Sequence, residues 1–443
     1  MRNPFESKPD VAAILQGAAL ALFLQVVGAG TAYLSVVLLA RWMGAAEFGI
    51  YGFALAWIVP LATVASLGLP TANIRFVAQY RALDDWPAIR GLSTRSRALT
   101  ACLGLVIAGA GAIGTLLASP YLDPAFVRPL VVAFCSLPLL GLIRLRSAMA
   151  RGFGWAGIAF GPALIMTPAL LVVFSLLLRH LSGTLTALQA VLATLTAYAV
   201  VLIVLEIVLA ARLGPVFKRV VPSFSTRTWL RVALPLLFHS GAVLFILHLD
   251  SICIGLMLTA EDVGIYTTAT RTAFLATYAL QAVNAMAAPR FSAYHAKGQL
   301  GALPPLLKTL SQWVFWPTLA IVLGEIAFGR SILGLFGGEF GAGYPALVVL
   351  ALGHLATAAA GPAPILLAMT GHQNDLVIVY GAAIALNLAA NVVLIPIFGI
   401  QGAALATAGT FTLSSFALVL LAVKRLRVNP SVTAAFIRIS ARR

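Results

Sequence analysis

Four charged residues, Glu206, Asp250, Arg271 and Glu325, lie inside apolar segments of this chain. A charge at the centre of a membrane helix costs about 2.5–3.5 kcal/mol on insertion scales, so such residues usually face protein or a water-filled cavity and mark the path of an ion or substrate. Asp250 and Arg271 each lie about ten positions from a turn expected near residues 260–261. Antiparallel helices would hold the two at one depth, and we expect an ion pair between them.

Two roles fit an ion pair between Asp250 and Arg271. A planar guanidinium binds anionic oxygens in a bidentate manner, so Arg271 would contact an anionic group of a substrate while Asp250 holds the arginine or exchanges a proton. Alternatively, the pair only clamps two helices together, because buried ions persist chiefly when they are paired. Both interpretations stay open at the level of sequence.

A coupling ion needs a titratable or oxygen-rich group within the membrane, and Asp250, His248 and Glu325 are the candidates. His239 and His354 also lie in apolar segments, and histidine titrates near neutral pH. A single membrane histidine, however, more often satisfies a hydrogen bond between helices. We expect no cofactor beyond a coupling proton or sodium ion. The three cysteines lack the spacing of a metal site, so no metal site is predicted, and we also expect no catalytic residues.

These candidates lie in a chain that repeats itself. Residues 49–51 (Gly-Ile-Tyr) recur at 264–266, and residues 75–76 (Arg-Phe) recur at 290–291, each displaced by 215 positions. In both copies 23 mostly apolar residues separate the Tyr from the Arg. At 1.5 Å per residue this is enough helix to cross a hydrocarbon core of about 30 Å. The repeat therefore predicts two related membrane lobes, and the candidate ion pair has no charged counterpart in the first copy.

Composition places nearly the whole chain in a membrane. Hydrophobic residues make up 61% of it and charged residues 9%, whereas soluble domains are roughly 25% charged. We expect an all-α polytopic membrane protein with an N-terminal six-helix lobe (1–215), a C-terminal six-helix lobe (216–423) and a basic cytoplasmic tail (424–443). Apolar runs predict twelve spans: 12–40, 48–73, 98–119, 126–146, 156–178, 184–211, 230–258, 263–288, 306–328, 342–369, 374–397 and 400–423.

The basic residues predict the orientation of these spans. With both termini in the cytoplasm, 24 of the 29 Lys and Arg residues fall on the inner side and four on the outer side, as the positive-inside rule requires. Six spans per lobe make the two copies parallel, related by an axis along the membrane normal. The same bias explains the net charge of +16. It predicts contact with anionic membrane lipids and no nucleic-acid partner.

Three further arginines are candidate contacts for an anionic lipid substrate. Arg75 and Arg290, the repeated arginines, lie at the cytoplasmic ends of the second and eighth predicted helices, and Arg144 approaches the same level from the fourth. Ordinary anchoring at the membrane surface would also place arginines there. Anchoring is the favoured explanation, but the symmetry of Arg75 and Arg290 singles them out as a candidate entry site for an anionic lipid.

Several segments resemble bacterial polysaccharide flippases. They are Leu-Ala-Arg-Trp-Met-Gly at 39–44, Phe-Gly-Ile-Tyr at 48–51, the Asp-Ser-Ile-Cys-Ile-Gly run at 250–255 and the stretch from Asn391 to Thr407. The last is similar to the turn between the eleventh and twelfth helices of the multidrug/oligosaccharidyl-lipid/polysaccharide exporter superfamily. The resemblance extends over nearly the whole chain.

The resemblance implies two six-helix lobes around a central cavity that opens alternately inward and outward. The implied cargo is an oligosaccharide linked to a polyprenyl diphosphate. It would move from the inner to the outer leaflet of the bacterial cytoplasmic membrane for O-antigen, capsule or exopolysaccharide synthesis. Other polysaccharide-assembly proteins are implied as partners.

Three alternatives remain. A lipid II flippase of the related cell-wall family commonly has two additional helices, for which twelve spans leave no room. A cation-coupled multidrug exporter of the same superfamily usually has an acidic cavity, and membrane acids are scarce here. A membrane glycosyltransferase or polymerase usually needs a sizeable outer loop or a carboxylate cluster, but the longest predicted outer segments are about a dozen residues. We therefore expect a transporter and not an enzyme.

Overall fold

The structure is a computed structural model that describes residues 11–296, 299, 301 and 303–435, and this part of the chain is α-helical without a β-strand. Six residues counted in the topology prediction, Arg2, Lys8, Lys297, Arg438, Arg442 and Arg443, lie outside the described residues, as does the side chain of His239. The helices are α1 Val11–Ala65, α2 Leu69–Ala82, α3 Trp86–Leu117, α4 Pro124–Phe134, α5 Ser136–Gly152, α6 Ala156–Phe160, α7 Thr167–Ser182, α8 Ala187–Phe217, α9 Thr226–Met257, α10 Ala260–Ala273, α11 Tyr278–Ala296, α12 Leu303–Gly334, α13 Tyr344–Ala360, α14 Ala363–Met369, α15 Gln373–Phe398 and α16 Ile400–Leu426.

Helix α1 joins two of the predicted spans. Its apolar part, Leu20–Ala65, has 46 residues, about 70 Å of helix and therefore about twice the hydrocarbon thickness. The backbone leaves the helical conformation at Gly44, where φ is 75° and ψ is 171°. A positive φ of this kind favours glycine because it has no Cβ. Gly44 thus separates the first crossing from the second without a loop.

The other spans agree with the predicted layout, although some are broken. Eight helices of the described chain are individually long and apolar enough to cross a membrane, and the bent pair α4–α5 makes nine. The predicted span 263–288 is divided into α10 and α11 by the 3₁₀ turn Phe274–Thr277. Within α9 the apolar part is Leu244–Met257, which is shorter than a full span. With α1 counted twice, the described chain has ten such crossings, and α9 and the pair α10–α11 take the places of the other two predicted spans. The predicted all-α polytopic fold is confirmed.

The helix starts follow from local sequence. Thr186 begins α8 and Thr259 begins α10 with capping boxes, in which each threonine side chain accepts from a backbone N–H one turn later. The side chains of Asp85 and Asp123 accept in the same way at the starts of α3 and α4. These caps satisfy backbone donors that the first turn leaves unpaired. They mark the helix ends sharply in a chain whose apolar composition otherwise favours long helices.

Two compact units divide the chain. Unit 1 comprises Met1–Met43 and Ala54–Gly241, and unit 2 comprises Gly44–Phe53 and Ala242–Arg443. The change therefore falls inside α9, beyond the lobe boundary predicted at residues 215–216. Residues 44–53 of α1 belong to unit 2 because they pack against α10. Each unit has its own apolar core, centred on α2, α3 and α5 in unit 1 and on α11, α12, α14 and α16 in unit 2.

The two copies of the repeat contact each other through their glycines inside unit 2. A Cβ added to Gly49 would lie 1.7 Å from the carbonyl oxygen of Ala260, and a Cβ added to Gly264 would lie 2.1 Å from that of Ala45. Ala45 and Ala260 are themselves displaced by the repeat distance, so the contact is reciprocal. Only glycine permits backbones to approach this closely. The repeated glycine therefore forms the surface on which the two copies meet.

The start of the second crossing, just after Gly44 in α1, and the start of α10 are capped by different residues. Thr259 caps α10, whereas the equivalent position in the first copy is Gly44, which has no side chain. Glu339, from the 3₁₀ segment Gly338–Gly343, takes over this role by accepting from the backbone N–H of Ala45 at 2.6 Å. A carboxylate suits the positive end of a helix. Glu339 thus holds the start of the second crossing on unit 2.

Candidate functional site

Asp250 lies at the centre of a buried polar cluster in unit 2. Its Oδ1 accepts a hydrogen bond from Nδ2 of Asn391 at 2.8 Å, and its Oδ2 accepts from Oγ1 of Thr407 at 2.6 Å. The hydroxyl of Tyr266 also donates to Oδ2. A buried carboxylate is retained only when its oxygens are well satisfied, and here three donors from three helices satisfy Asp250.

Asn387 completes the cluster. Its Nδ2 donates to Oγ1 of Thr407 at 2.8 Å, and its Oδ1 accepts from Nδ2 of Asn391 at 3.1 Å. The five side chains of this Asp250 cluster, from Asp250, Tyr266, Asn387, Asn391 and Thr407, are each at most 3% exposed. Oδ1 of Asn391 is buried and has no hydrogen-bond partner among the described residues. One strong acceptor inside the cluster is therefore unused.

Four helices position these groups. Asp250 lies on α9 about two turns, or 10 Å, before the helix ends at Met257. Tyr266 lies on α10, which returns antiparallel from the turn. Asn387 and Asn391 are four residues apart and occupy one face of α15, and Thr407 lies on α16. The site depends on packing between elements that are far apart in the sequence.

The chemistry of the cluster is that of oxygen ligands. Two carboxylate oxygens, two amide oxygens and two hydroxyl groups converge without a nitrogen or sulfur ligand. Carboxylate and carbonyl oxygens suit hard cations, and a carboxylate can carry a proton. The donor set and the unused Oδ1 of Asn391 fit a small monovalent cation or a proton.

The predicted ion pair between Asp250 and Arg271 is wrong. Arg271 is exposed in the last turn of α10 and forms no ion pair with Asp250 in the described structure. The turn between α9 and α10 lies near residue 258, not 260–261. Tyr266 therefore reaches the depth of Asp250, and Arg271 lies more than one turn further along and points in another direction.

The other two coupling candidates lie apart from this cluster. Glu325 of α12 is buried, and neither of its carboxylate oxygens has a hydrogen-bond partner among the described residues. His248 is half-buried and contacts the carbonyl oxygen of Leu244 through Nδ1 at 2.9 Å. His354 packs against the rings of Phe274 and Phe411. Of these groups, only Glu325 is a buried acid without a hydrogen-bond partner.

The candidate arginines of unit 1 have different surroundings. Arg75 is exposed at the surface of α2. Arg144 is half-buried, and its guanidinium donates to Oγ1 of Thr63 and to the carbonyl oxygen of Val59 at 3.4 Å. It has no carboxylate partner among the described residues. A guanidinium held by neutral acceptors keeps its charge available to an anion. In unit 2, Arg290 is exposed on α11.

Arg146, two residues from Arg144, forms an ion pair instead. It is buried and contacts both carboxylate oxygens of Glu206, at 2.6 and 2.5 Å, and Oγ of Ser93 at 2.9 Å. Arg97 lies 3.6 Å from the same carboxylate. Glu206, a candidate membrane acid in the sequence, therefore neutralises a buried arginine of its own unit.

Sequence reasoning selected Asp250 but not its four partners. Asn387 and Asn391 are amides four residues apart in an otherwise apolar run, which is the signal that could have found them, because polar groups in a membrane helix usually face protein. Tyr266 belongs to the repeat and Thr407 ends a segment that resembled the flippase family. Nothing local to either residue indicated that its hydroxyl faces Asp250.

Comparisons with known proteins support this description. A family model described as polysaccharide biosynthesis protein matches residues 14–295, well over half of the chain. No curated protein sequence matches this chain.

Solved transporters share the fold at low sequence identity. An inward-facing multidrug resistance MATE family transporter of the MOP superfamily superposes with a TM-score of 0.71 at 16% identity, over 90% of this chain and 94% of that one. A mutant of a Vibrio cholerae MATE transporter gives 0.63 at 15% identity, over 93% and 97%. A MOP superfamily transporter from Pyrococcus furiosus, described as having a binding pocket of reverse polarity, gives 0.61 at 14% identity, over 93% and 94%. At these identities the likeness shows the fold.

Proposed function

Since this chain belongs to the polysaccharide biosynthesis protein family, we propose that it is a flippase for a lipid-linked oligosaccharide. It moves a polyprenyl-diphosphate-linked oligosaccharide from the inner to the outer leaflet of the bacterial cytoplasmic membrane by alternating access. The family match over a multi-pass helical fold is the observation that carries the proposal. Both termini lie in the cytoplasm in this proposal, and other polysaccharide-assembly proteins supply and consume the cargo.

The arginines give the cargo its contacts. A diphosphate carries several anionic oxygens, which guanidinium groups bind with charge-assisted hydrogen bonds. Arg144 is the best placed of the candidates in unit 1, because its neutral partners leave its charge uncompensated. Arg75, Arg290 and Arg271 are exposed and contact the diphosphate before or during entry. Arg146 has no such role, because its guanidinium is already paired with the carboxylate of Glu206.

The Asp250 cluster couples transport to a cation. Its oxygen ligands and the unused Oδ1 of Asn391 support the binding of a sodium ion or a proton. The cluster joins α9, α10, α15 and α16, so a bound cation would bias how these helices pack. A ligand drives a conformational change only by binding one state more tightly than the other. Tighter cation binding in one state would therefore drive the cycle.

Reconstitution tests the proposed cargo. Purified protein in vesicles with defined polyprenyl-diphosphate oligosaccharides is expected to move them to the opposite leaflet, scored with an impermeant sugar-modifying enzyme. Lipid II and a cationic drug are included as competing cargos, because a lipid II flippase and a multidrug exporter are the transporter alternatives that the sequence left open. Translocation of a polysaccharide precursor alone supports the proposal, and transport of only lipid II or only the drug contradicts it.

A thermal-shift measurement separates sodium from a proton without requiring transport. A ligand that binds only the folded state raises its melting temperature with concentration. Sodium chloride is expected to raise the melting temperature of the wild type above that seen with matched potassium chloride, and Asp250→Asn is expected to remove the difference. A shift that depends on pH but not on sodium would identify the proton instead, and no dependence on either would contradict cation coupling at this site.

A further inference from the structure

A groove on the surface of unit 2 lies between α11 and α12. It has a volume of about 600 Å³ and is lined mainly by Ala279, Ala282, Val283, Gln312, Trp313 and Trp316. The two indoles are more than half exposed, at 59% and 56%. Because they stand three residues apart on one helix, they present adjacent apolar faces to whatever fills the groove.

The depth of these tryptophans is unusual. Membrane tryptophans are enriched at the two interfaces, where the indole sits at the level of the headgroups. Trp313 and Trp316 lie seven and ten residues inside the predicted span 306–328, about 10 and 15 Å along the helix. Within that span the two indoles fall at the level of the acyl chains, away from the headgroups where interfacial tryptophans lie.

Two basic residues lie beyond one end of the groove, towards the end of α11 at Ala296 and the start of α12 at Leu303, which is the cytoplasmic end in the proposed topology. Lys308 precedes Gln312 by one helical turn and shares its face of α12. Arg290 follows Val283 by seven residues and occupies the same face of α11. Both side chains are exposed. The arrangement is an apolar groove in the membrane with two positive charges near its inner end.

We propose that this groove holds the polyprenyl chain of the lipid-linked substrate, with Arg290 and Lys308 contacting its diphosphate in the inner leaflet. The inference rests on the proposed function. Charge complementarity favours this occupant, because two cations match two linked phosphates, whereas an ordinary phospholipid presents one. A methyl-branched isoprenoid also packs against flat indole faces along its length. The tail would stay in the groove while the sugar headgroup crosses.

The test uses the full-length protein in nanodiscs and a polyprenyl diphosphate with a photoreactive group on its tail. Labelling is expected on peptides of α11 and α12 and is expected to be displaced by unlabelled polyprenyl diphosphate but not by the same amount of phosphatidylglycerol. Equal displacement by phosphatidylglycerol would show an ordinary lipid-facing surface and overturn the proposal. Labelling confined to other helices would also overturn it.

Variants on α12 provide the matched comparison. Trp313→Ala with Trp316→Ala is expected to lower tail labelling at least about tenfold, because each indole buries a large apolar area. Leu323→Ala with Phe328→Ala removes exposed apolar groups from the same helix and is expected to leave labelling unchanged. Equal loss in both double variants would overturn the proposal by showing a general effect on the lipid-facing surface.

The contribution of Arg290 and Lys308 is tested by competition for the labelled site. Arg290→Gln with Lys308→Gln is expected to weaken displacement by polyprenyl diphosphate while leaving displacement by the uncharged polyprenol unchanged. If polyprenyl diphosphate displaces the label from this variant as strongly as from the wild type, Arg290 and Lys308 do not contact the diphosphate.

Failure of the groove and failure of the flippase proposal are distinguishable. Specific tail labelling without translocation of any sugar-bearing lipid would retain the groove and reject the transport function. Wild-type translocation by the tryptophan double variant, at every tail length, would retain the function and reject the groove.

Discussion

At the scale of single residues, the carboxylate of Asp250 lies among uncharged hydrogen-bond donors, whereas the buried guanidinium of Arg146 lies against a carboxylate. No cationic side chain pairs with Asp250 in the described structure, which is why we propose it as the cation site. Glu206 is already paired, because both of its carboxylate oxygens contact Arg146. Two membrane acids that look alike in the sequence therefore have different surroundings.

Replacing Asp250 is expected to stop cation-driven transport. Asp250→Asn removes the charge but retains the size of the side chain, and we expect gradient-driven translocation to fall at least about tenfold, because losing a charged ion ligand costs more than one hydrogen bond. Initial rates in vesicles with an imposed sodium or proton gradient measure this. Glu261→Gln, at an exposed acid of α10, is the control. Wild-type rates and gradient dependence in Asp250→Asn would exclude this site from coupling.

Replacing Glu206 is expected to destabilise the protein instead. Glu206→Gln leaves the buried guanidinium of Arg146 without its partner, and we expect a loss of about 2 kcal/mol, reduced from the value for a fully buried pair because Glu206 is partly exposed. Asp375→Asn breaks the pair with the exposed Arg425 and is expected to cost less stability than Glu206→Gln, because exposed ion pairs contribute little. Thermal unfolding in detergent compares the two variants, and equal stability losses would contradict this assignment.

At the scale of helices, the start of the second crossing and the start of α10 are held together by glycine. The repeated Gly49 and Gly264 allow each backbone to contact the carbonyl oxygen of the other helix. Gly44 breaks α1 just before this contact, and Glu339 satisfies the backbone that the break exposes. The helix geometry thus fixes where the two copies of the repeat can touch.

A methyl group at this contact is expected to be costly. Gly49→Ala would place a Cβ against the carbonyl oxygen of Ala260, so the helices must separate, and we expect a loss of about 1–3 kcal/mol. Gly30→Ala, also in α1, has no heavy atom within 4 Å of the added Cβ. It is expected to be neutral or slightly stabilising, because alanine favours helix. Thermal unfolding of both variants, with Gly264→Ala as the symmetric partner, measures the difference.

Much of the helix layout could be predicted from the sequence, whereas the site could be predicted only in part. Apolar length and the repeat predicted the crossings, because a membrane forces backbone groups into helices. The partner of Asp250 was predicted wrongly because a shift of about two residues in the turn changes which side chain of α10 faces it. Asn391 and Thr407 lie 141 and 157 positions from Asp250. No local pattern specifies contacts across such separations.

At the scale of the whole molecule, the proposed alternating access moves the two copies of the repeat relative to each other. We therefore predict that the contact between residues 44–53 and α10, which lies within unit 2, opens during the cycle. Holding this contact closed is then expected to stop transport without unfolding the protein.

A disulfide tests this requirement. A Cβ at Gly52 would lie 3.8 Å from Cβ of Thr267, which suits a disulfide. In a background without Cys102, Cys135 and Cys253, the oxidised Gly52→Cys/Thr267→Cys variant is expected to lose transport and to regain it with dithiothreitol. Transport by the fully oxidised variant at the reduced rate would contradict opening at this contact.

The control disulfide lies within the second copy. A Cβ at Gly343 would lie 3.5 Å from Cβ of Ala269, so Gly343→Cys/Ala269→Cys cross-links α10 to the segment before α13. It is expected to transport in both redox states, because it joins elements of one copy. Inhibition by both disulfides would indicate that any restraint on α10 blocks the cycle.

The reciprocal glycine contact has a symmetry that the rest of the chain does not keep. Because each copy presents the same residue to the same backbone position of the other, the contact has the symmetry of an isologous dimer interface. The copies differ elsewhere, since the counterpart of Asp250 is Ser35. One polypeptide can therefore combine a dimer-like contact with a polar site that exists in a single copy.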